Sequence, residues 1–340
     1  MQKSGISIRD IARICEVSPA TVSRVINNNG RFTKETQQRV LRAIEENHYT
    51  ANALAKSLRV NQSKSIGLLV PDITNEFFAS IVYEIENYFF DIGYLTFICN
   101  TAGSDSKEQE YLAALAGKMV DGIIFLSGQE DMPNRQQYRN IPMVGIDRRP
   151  RIDDQSNLFF VQSDHYLGGF MATEELLRKG CKKILVMMRT KSLSTSLQRI
   201  EGYKDALKQY QVPFDSNCVI RLSGSRTNYE EARDVVSYLI KSDMKFDGIF
   251  ATNDMRAYGA LTACQQNGIA VPEDVKIVGF DGIAISRYCY PPITTVYQDY
   301  HTIGQRAAEV MYNLIQKNEE QLPSQQTIIV PVALVPGGTT

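Results

Sequence analysis

A single arginine stands among small side chains in the stretch that begins at Ser18. Arg24 can donate two hydrogen bonds to one guanine, and the methyl groups of Ala20 and Thr21 can contact thymine. Hydroxyl groups such as those of Ser18 and Ser23, together with the start of a helix, suit phosphate oxygens. One helix face that displayed these groups would therefore have the chemistry to read a DNA duplex.

Three short helices with a tight first turn are predicted to position that face. Ser7 is placed to cap the first helix and Ser18 the second, with Pro19 at the first helical position, where its missing N–H costs nothing. A third helix is predicted to begin near Thr33. The apolar stripes predicted to close the core are Ile8, Ile11, Ala12 and Cys15, then Val22, Val25 and Ile26, then Val40, Leu41 and Ile44. This arrangement is typical of a helix-turn-helix module, whose second helix enters the major groove.

Positive charge is concentrated at the N-terminus. Residues 1–64 hold 11 Lys and Arg against 5 Asp and Glu, whereas the rest of the chain holds 26 against 33. Binding of a basic segment to nucleic acid releases condensed counterions, so this asymmetry favours a polyanionic partner. A solvated basic surface would give the same charge distribution.

Several classes of protein are disfavoured. No apolar run approaches the roughly 20 residues of a membrane span, and no signal peptide is evident, so we expect a cytoplasmic protein without a membrane partner. Six scattered cysteines and three histidines lack metal-ligand spacing, which favours free thiols. With no glycine-rich phosphate loop and no convincing Ser/His/Asp set, we expect no enzyme, no catalytic residue, no metal and no cofactor.

The remainder of the chain alternates strand and helix, and it repeats itself. Residues 121–125 recur as 247–250, and the run ending at Asp147 recurs loosely in the run ending at Asp281, at offsets of 126 and 134 residues. Two similar offsets indicate two copies of one α/β lobe with parallel strands. Because ligands of open parallel sheets bind beyond the carboxyl ends of the strands, both aspartates should face a shared cleft.

Two N-terminal motifs carry a family resemblance. Residues 8–12 (IRDIA) and 17–27 (VSPATVSRVIN) resemble the signature of the lactose-repressor (LacI/GalR) family of bacterial transcription regulators. The likeness continues through 52–59, a run too short to form a stable helix alone. In that family the equivalent hinge helix forms on operator DNA and inserts a leucine, here Leu58, into the minor groove. One departure is Ala51, where the family often has proline.

The resemblance implies the DNA-binding residues. In the headpiece they are Ser7, Ser18, Pro19, Ala20, Thr21, Ser23, Arg24 and Asn27, and in the hinge Asn52, Ala55, Leu58 and Arg59. It also implies a palindromic operator bound by a homodimer, since each recognition helix then meets one half-site. Because no leucine heptads follow residues 331–338, we expect dimers and not tetramers.

The implied fold class is α/β. An N-terminal all-α helix-turn-helix domain would precede a periplasmic-binding-protein-like core of two doubly wound parallel-sheet lobes. The expected boundaries are 1–49 for the headpiece, 50–64 for the hinge helix and linker, and 65–340 for the effector-binding and dimerisation core, with a first lobe of about 65–162 and 297–326 and a second of about 163–293 and 327–340.

The resemblance further implies a sugar effector between the lobes. The residues carried over are Asp72, Asn75, Phe77, Phe78, Asp147, Arg148, Arg199, Asn253, Asp281 and Gln298, to which the chain's own departure adds Arg226. Carboxylates accept from sugar hydroxyls, arginines donate, and an aromatic ring covers the C–H face. Arg226 stands where many relatives carry an aromatic residue, which favours a sugar phosphate or sugar acid. Singly, each aspartate could instead be a helix cap and Arg199 a surface residue, and His165 is interpreted as a helix start.

The resemblance predicts an effector-controlled regulator, most simply a repressor of a carbohydrate-utilisation operon. Asp281-Gly282 and residues 290–295 are also similar to sucrose-type repressors of the family. Effector binding would close the lobes and change operator affinity by linkage. One alternative is a global catabolite regulator controlled by a phosphorylated carrier protein. Another is a sugar-binding transport protein, which would have no use for the basic headpiece.

Overall fold

A computed structural model describes two compact units, residues 1–63 and 64–340. The residues it describes are 6–26, 29–47, 49, 62–126, 138, 141–147, 158–190, 194–224, 226–242 and 244–340. The site candidates Asn27, Asn52, Ala55, Leu58, Arg59 and Arg148 lie outside them, so the roles expected of these six remain predictions.

The first unit contains three capped helices. They are α1 (Ile8–Ile14), α2 (Pro19–Ile26) and α3 (Lys34–Glu46). Ser7 and Asp10 form a capping box, in which each side chain accepts from the other residue's backbone N–H. The Ser18 hydroxyl accepts from Thr21 N at 3.1 Å, and Thr33 caps α3. The predicted helices and their caps are confirmed.

The core of this unit differs from the prediction at one position. Val40 is fully buried, but Leu41 is 48% exposed, and Ala43 is buried in its place. Val40 and Ala43 share a helix face at the i, i+3 spacing, whereas Leu41 follows Val40 by 100° around the axis. The expectation that Leu41 closes the core was therefore wrong.

The second unit is built from two six-stranded sheets, as far as the chain is described. The strands are β1 (Ser65–Val70), β2 (Leu95–Asn100), β3 (Gly122–Phe125), β4 (Met143–Ile146), β5 (Leu158–Ser163), β6 (Ile184–Arg189), β7 (Val219–Leu222), β8 (Gly248–Ala251), β9 (Lys276–Asp281), β10 (Thr294–Gln298), β11 (Thr327–Val330) and β12 (Val332–Val335). The first sheet has the order β11-β5-β4-β3-β1-β2 and is parallel throughout. The second has the order β12-β10-β9-β8-β6-β7, with β12 antiparallel. The predicted pair of parallel lobes is confirmed.

Helices cover both sheets. They are α4 (Glu76–Asp91), α5 (Asp105–Gly117), α6 (His165–Arg178), α7 (Ser194–Gln209), α8 (Asn228–Lys241), α9 (Asp254–Gln266), α10 (Ile285–Tyr288) and α11 (Tyr300–Gln316). The central strands beneath them are buried along their whole length, as in β1, β3, β4 and β8, whereas the edge strands β2, β7 and β12 are partly exposed. Such continuous burial is expected of parallel strands covered on both faces.

The chain crosses between the lobes three times, after β5, β10 and β11. Strand β10 pairs with β9 and β12, so residues 297–298 belong to the second lobe, where the sequence had assigned them to the first. Strand β11 pairs with β5, so residues 327–330 belong to the first lobe. The observed boundaries differ from the expected ones because both strands extend beyond the residues where the sequence had placed the crossings: β10 ends at Gln298 and β11 at Val330.

The carboxyl ends of the second sheet gather polar residues at one edge. Asp281 ends β9, Gln298 ends β10, and Thr252 follows β8. In the first lobe Asp147 directly follows β4. Both aspartates have a positive φ, 56° for Asp147 and 110° for Asp281, a conformation that costs free energy and is concentrated at functional sites.

Candidate functional site

Helix α2 presents the predicted small polar face. Val22 and Val25 are buried against the other helices, whereas Pro19, Ala20 and Arg24 are exposed. Exposed Ser18 and half-buried Thr21 and Ser23 lie along the same helix and its N-terminus. The surface formed by these six residues has the size and chemistry to enter a major groove.

A buried arginine organises the second lobe. Arg199 of α7 is 9% exposed, and its guanidinium lies 3.6 Å from the centre of the Phe280 ring. Its Nη1 donates to the carbonyl oxygen of Thr252 at 2.5 Å. Its Nη2 donates to Nδ1 of His165 at 3.2 Å. Arg199 is thus fixed at the carboxyl edge of the sheet, which excludes the alternative of a surface residue.

His165 links Arg199 to the first lobe. Its Nε2 donates to Oδ1 of Asp147 at 3.0 Å, and the same oxygen accepts from the backbone N–H of Ser163 at 3.0 Å. Burial lowers the pKa of His165, against the opposing charge of Asp147. Burial also acts to raise the pKa of Asp147, but the bonds from His165 and Ser163 outweigh it and the pKa is lowered. The geometry therefore fits a neutral imidazole between a carboxylate and a guanidinium.

Asp281 has a different environment. It is 6% exposed, and its Oδ1 accepts from Nε2 of Gln298 at 2.7 Å. Burial raises the pKa of Asp281 to about 7, against the opposing charge of Arg199. The carbonyl oxygen Oε1 of Gln298 is buried and has no hydrogen-bond partner among the described residues, and the same is true of the Ser163 hydroxyl. Buried polar atoms without partners are costly and indicate a missing ligand or water.

The first lobe contributes the loop before α4. Asp72 is exposed and accepts from the hydroxyl of Thr74 at 2.6 Å, and Asn75 caps α4 by accepting from Phe77 N at 3.0 Å. Phe77 is 4% exposed and belongs to the hydrophobic core. The structure therefore does not support the ligand contact that the sequence predicted for Phe77. The half-buried Phe78 lies edge to face with Phe77 and is the aromatic ring that can face a ligand.

Two other candidates have local structural roles. Arg226 is 49% exposed and donates to Asp234 at 2.5 Å, with Glu230 at 3.6 Å. Its charge is already paired with acidic residues of α8, and its expected contact with the effector stays a prediction. Asn253 caps α9 by accepting from Arg256 N at 2.8 Å. That is the helix-capping alternative that the sequence left open for the polar residues at strand ends.

Sequence reasoning missed several residues of this site. His165 was interpreted as a helix start, and Thr252 and Arg256 were not considered. Glu76 was read only as part of a loop, yet its Oε1 accepts from Ala284 N at 2.8 Å and connects the two lobes. The signal that could have found His165 is its position two residues after β5, where the chain first crosses between the lobes.

The described residues hold no group of three or more potential metal ligands among His, Cys, Asp and Glu. Within the same part of the chain, no helix combines the length and the apolar character that crossing a bilayer requires.

Comparison with known proteins agrees with both units. The family model described as "Bacterial regulatory proteins, lacI family" matches residues 7–52, and the model described as "Periplasmic binding protein-like domain" matches residues 173–340. The chain is 36% identical over 311 residues to a protein named ribose operon repressor from Halalkalibacterium halodurans, and the match covers 92% of this chain and 91% of the relative.

Solved structures give the same result. A LacI family transcriptional regulator from Enterococcus faecium with bound ribose has a TM-score of 0.70 at 30% identity, over 81% of this chain and 98% of that one. The lac repressor dimer bound to operator and the anti-inducer ONPF has a TM-score of 0.85 over 99% of both chains. Because its identity is only 22%, the second likeness supports the fold alone.

Proposed function

The chain belongs to the LacI family of bacterial regulatory proteins and is a DNA-binding transcriptional repressor, and we propose that its effector is a sugar of the ribose type. A relative that is 36% identical carries the name ribose operon repressor, and a solved relative holds ribose. We further propose that the protein acts in the cytoplasm and has no catalytic role, as its named relatives are repressors.

The observation that carries the effector proposal is the buried polar group at the end of β10. Gln298 Oε1 lacks a partner among the described residues, while Gln298 Nε2 holds Asp281 in place. Adjacent sugar hydroxyls could donate to Gln298 and Asp281 and accept from Arg199. A hydrogen bond donated to Gln298 Oε1 would give that atom the partner it lacks among the described residues. Phe78 would cover the C–H face of the ring from the first lobe.

The bound sugar would control the distance between the lobes. Groups from both lobes would contact one ligand, so the conformation that brings them together would bind it more tightly. If operator DNA also binds one of the two conformations more tightly, the sugar and the operator must change each other's affinity by the same factor. The solved lac repressor is a dimer on its operator, and we infer a homodimer on a palindromic operator here.

The DNA contacts would come from α2 and from the hinge. Arg24 would donate to guanine, Ala20 and Thr21 would contact thymine, and Ser18 and Ser23 would bind phosphates. The roles of Ser7 and Pro19 in the headpiece, and of Asn27, Asn52, Ala55, Leu58 and Arg59, are proposed from the family resemblance.

Among rival functions, a sugar transport protein is disfavoured because residues 7–52 match a DNA-binding family. A global regulator controlled by a phosphorylated carrier protein is the remaining alternative. It is distinguished by sugar binding in the absence of any protein partner.

The test is selection of DNA from a pool of random duplexes by the full-length protein. We expect enrichment of an inverted repeat that Arg24→Ala binds at least about tenfold more weakly, because a bidentate base contact contributes about 1–3 kcal/mol. The matched control is Arg178→Ala, because Arg178 lies in the second unit of the chain and its side chain is 63% exposed. This variant should bind the selected DNA normally. Recovery of unrelated sequences, or equal binding by Arg24→Ala, would reject the proposal.

A further inference from the structure

A second buried arginine lies beside the sugar site. Arg256, in the first turn of α9, is 5% exposed. Its Nη1 donates to the Thr252 hydroxyl at 2.8 Å, and its Nη2 donates to Oδ1 of Asn228 at 3.0 Å. Its Nε is buried and has no hydrogen-bond partner among the described residues. An arginine with an unused donor in a buried position is costly unless something else accepts from it.

A third arginine is directed to the same place. Arg189 ends β6, and a Cβ atom added to Gly224 would lie 2.7 Å from its Nε, so the guanidinium lies directly on the Gly224 backbone. Burial and, after it, the positive charge of Arg189 lower the pKa of Arg256 to about 10.

One carboxylate faces this pair. Glu231 is 9% exposed and accepts from Gly224 N at 3.0 Å and from the Ser223 hydroxyl. Its charge therefore balances one guanidinium. Asp281 also attracts Arg256, but Asp281 is already opposed by Arg199. The group formed by Arg189, Arg256 and Glu231 keeps an excess of positive charge.

This cationic cluster and the sugar site both lie along the carboxyl edge of the second sheet. Thr252 joins them, because Arg199 donates to its carbonyl oxygen and Arg256 to its hydroxyl. In the strand order β9-β8-β6, Arg189 is two strands from Asp281. Two strand spacings amount to about 10 Å. A ligand that reached both places would be longer than a pentose and would carry its anionic group at one end.

Given the proposed sugar site, we propose that the effector is a phosphorylated sugar whose phosphate lies between Arg189 and Arg256. The sequence predicted that Arg226 binds the negative group of the effector. In this proposal Arg189 and Arg256 bind it instead. Forked guanidinium donors match phosphate oxygens, and Arg256 Nε gains an acceptor. A neutral sugar would fill the Asp281 end of the edge and leave Arg256 Nε without an acceptor.

The experiment is calorimetric titration of the full-length protein with ribose and with ribose 5-phosphate. We expect the phosphate ester to bind at least about tenfold more tightly than ribose. Arg189→Gln should abolish that preference and leave ribose affinity within about twofold, because Arg189 is only partly buried and its loss leaves the sugar contacts intact. Arg256→Gln should do the same if it folds, but Arg189→Gln decides the question.

The matched control is Arg221→Gln, on the neighbouring strand β7, where the arginine is exposed and contacts the Met188 sulfur. It should keep the preference for the ester. Equal or weaker binding of ribose 5-phosphate relative to ribose, or a preference that survives Arg189→Gln, would overturn the proposed phosphate site and leave the proposed function standing. Failure of both ligands to bind would overturn the proposed function and this inference together.

Discussion

Asp147 and Asp281 occupy the same place in the two lobes and have opposite environments. Each ends a parallel strand run, each has a positive φ, and each is less than a tenth exposed. Asp147 accepts from His165 and Ser163, and its pKa is lowered. Asp281 accepts from the amide of Gln298, and burial raises its pKa to about 7.

The different environments of Asp147 and Asp281 indicate two different roles, although the sequence predicted the same ligand-binding role for both. Asp147 is bound to both ends of the first crossing between the lobes, so its charge is compensated before any ligand arrives. Asp281 lies among Arg199 and an amide oxygen that lacks a partner, so a ligand can still improve its environment. We therefore propose that the same backbone geometry positions the lobes in one copy and binds the effector in the other.

The largest expected effect separates the two aspartates directly. Asp281→Asn removes a buried charged acceptor and should weaken ribose binding by about 100-fold, because hydrogen bonds to charged groups contribute about 1.5–3 kcal/mol. Asp147→Asn should cost no more than about tenfold, since it acts through the crossing. Calorimetric titration of both variants measures the ratio, and equal losses would remove the distinction.

The next effect concerns the link between the lobes. His165→Ala leaves the Asp147 carboxylate and an Arg199 donor without their shared partner, and should lower the free energy of unfolding by about 2 kcal/mol. Urea denaturation followed by circular dichroism measures it. His301→Ala is the matched control, because His301 is 55% exposed in its pair with Glu84 and such surface pairs contribute little. Equal losses of unfolding free energy in the two variants would show that His165 does not link the two lobes.

A smaller effect follows from the raised pKa of Asp281. The folded chain keeps a proton that the unfolded chain, with an aspartate pKa near 3.9, releases between about pH 4 and 7. The contribution of Asp281 to stability is therefore present below that range and is lost as the pH rises through about 7. The melting temperature of Asp281→Asn should fall less between pH 5 and 8 than that of the wild type, by about 2–4 °C.

Asp281 does not titrate in isolation. The charged groups that influence it are Arg199, Asp147, Arg256 and Asp254. Asp147→Asn is therefore measured alongside, and it should retain the steep fall of the wild type because its carboxyl pKa is lowered. Parallel melting curves for the wild type and Asp281→Asn would contradict the assigned pKa.

The smallest effect is expected at Arg226. Its side chain is about half exposed and paired with Asp234 and Glu230 on α8, so Arg226→Gln should change the affinity for ribose and for ribose 5-phosphate by less than about twofold. Titration of both ligands tests this. A selective loss of affinity for ribose 5-phosphate would show that Arg226 takes part in binding the phosphate.

The sequence predicted much of this architecture because the relevant signals are local. Helix caps at Ser7, Ser18 and Thr33 depend on neighbours three residues away, and the repeat that ends in Asp147 and Asp281 is visible as an offset. A periodic pattern of apolar residues also predicts which helix faces are buried, with single errors such as Leu41.

The site was harder to predict because its partners are distant in the chain. His165 contacts Arg199 across 34 residues, and Glu76 contacts Ala284 across 208. Arg226 also has a local partner that the sequence analysis did not consider, the acidic Asp234 eight residues later, and its role toward the effector stays a prediction. Which polar atoms lack partners, as in Gln298 and Arg256, depends on the packed structure and has no signal in the sequence.

The most direct test of the central claim is the fluorescence anisotropy of the selected operator duplex, titrated with full-length protein in the absence and presence of saturating sugar. We predict that the sugar changes operator affinity at least about tenfold, and that Asp281→Asn binds operator normally but no longer responds. Identical operator affinity with and without sugar, in samples where calorimetry shows the sugar bound, would contradict the account.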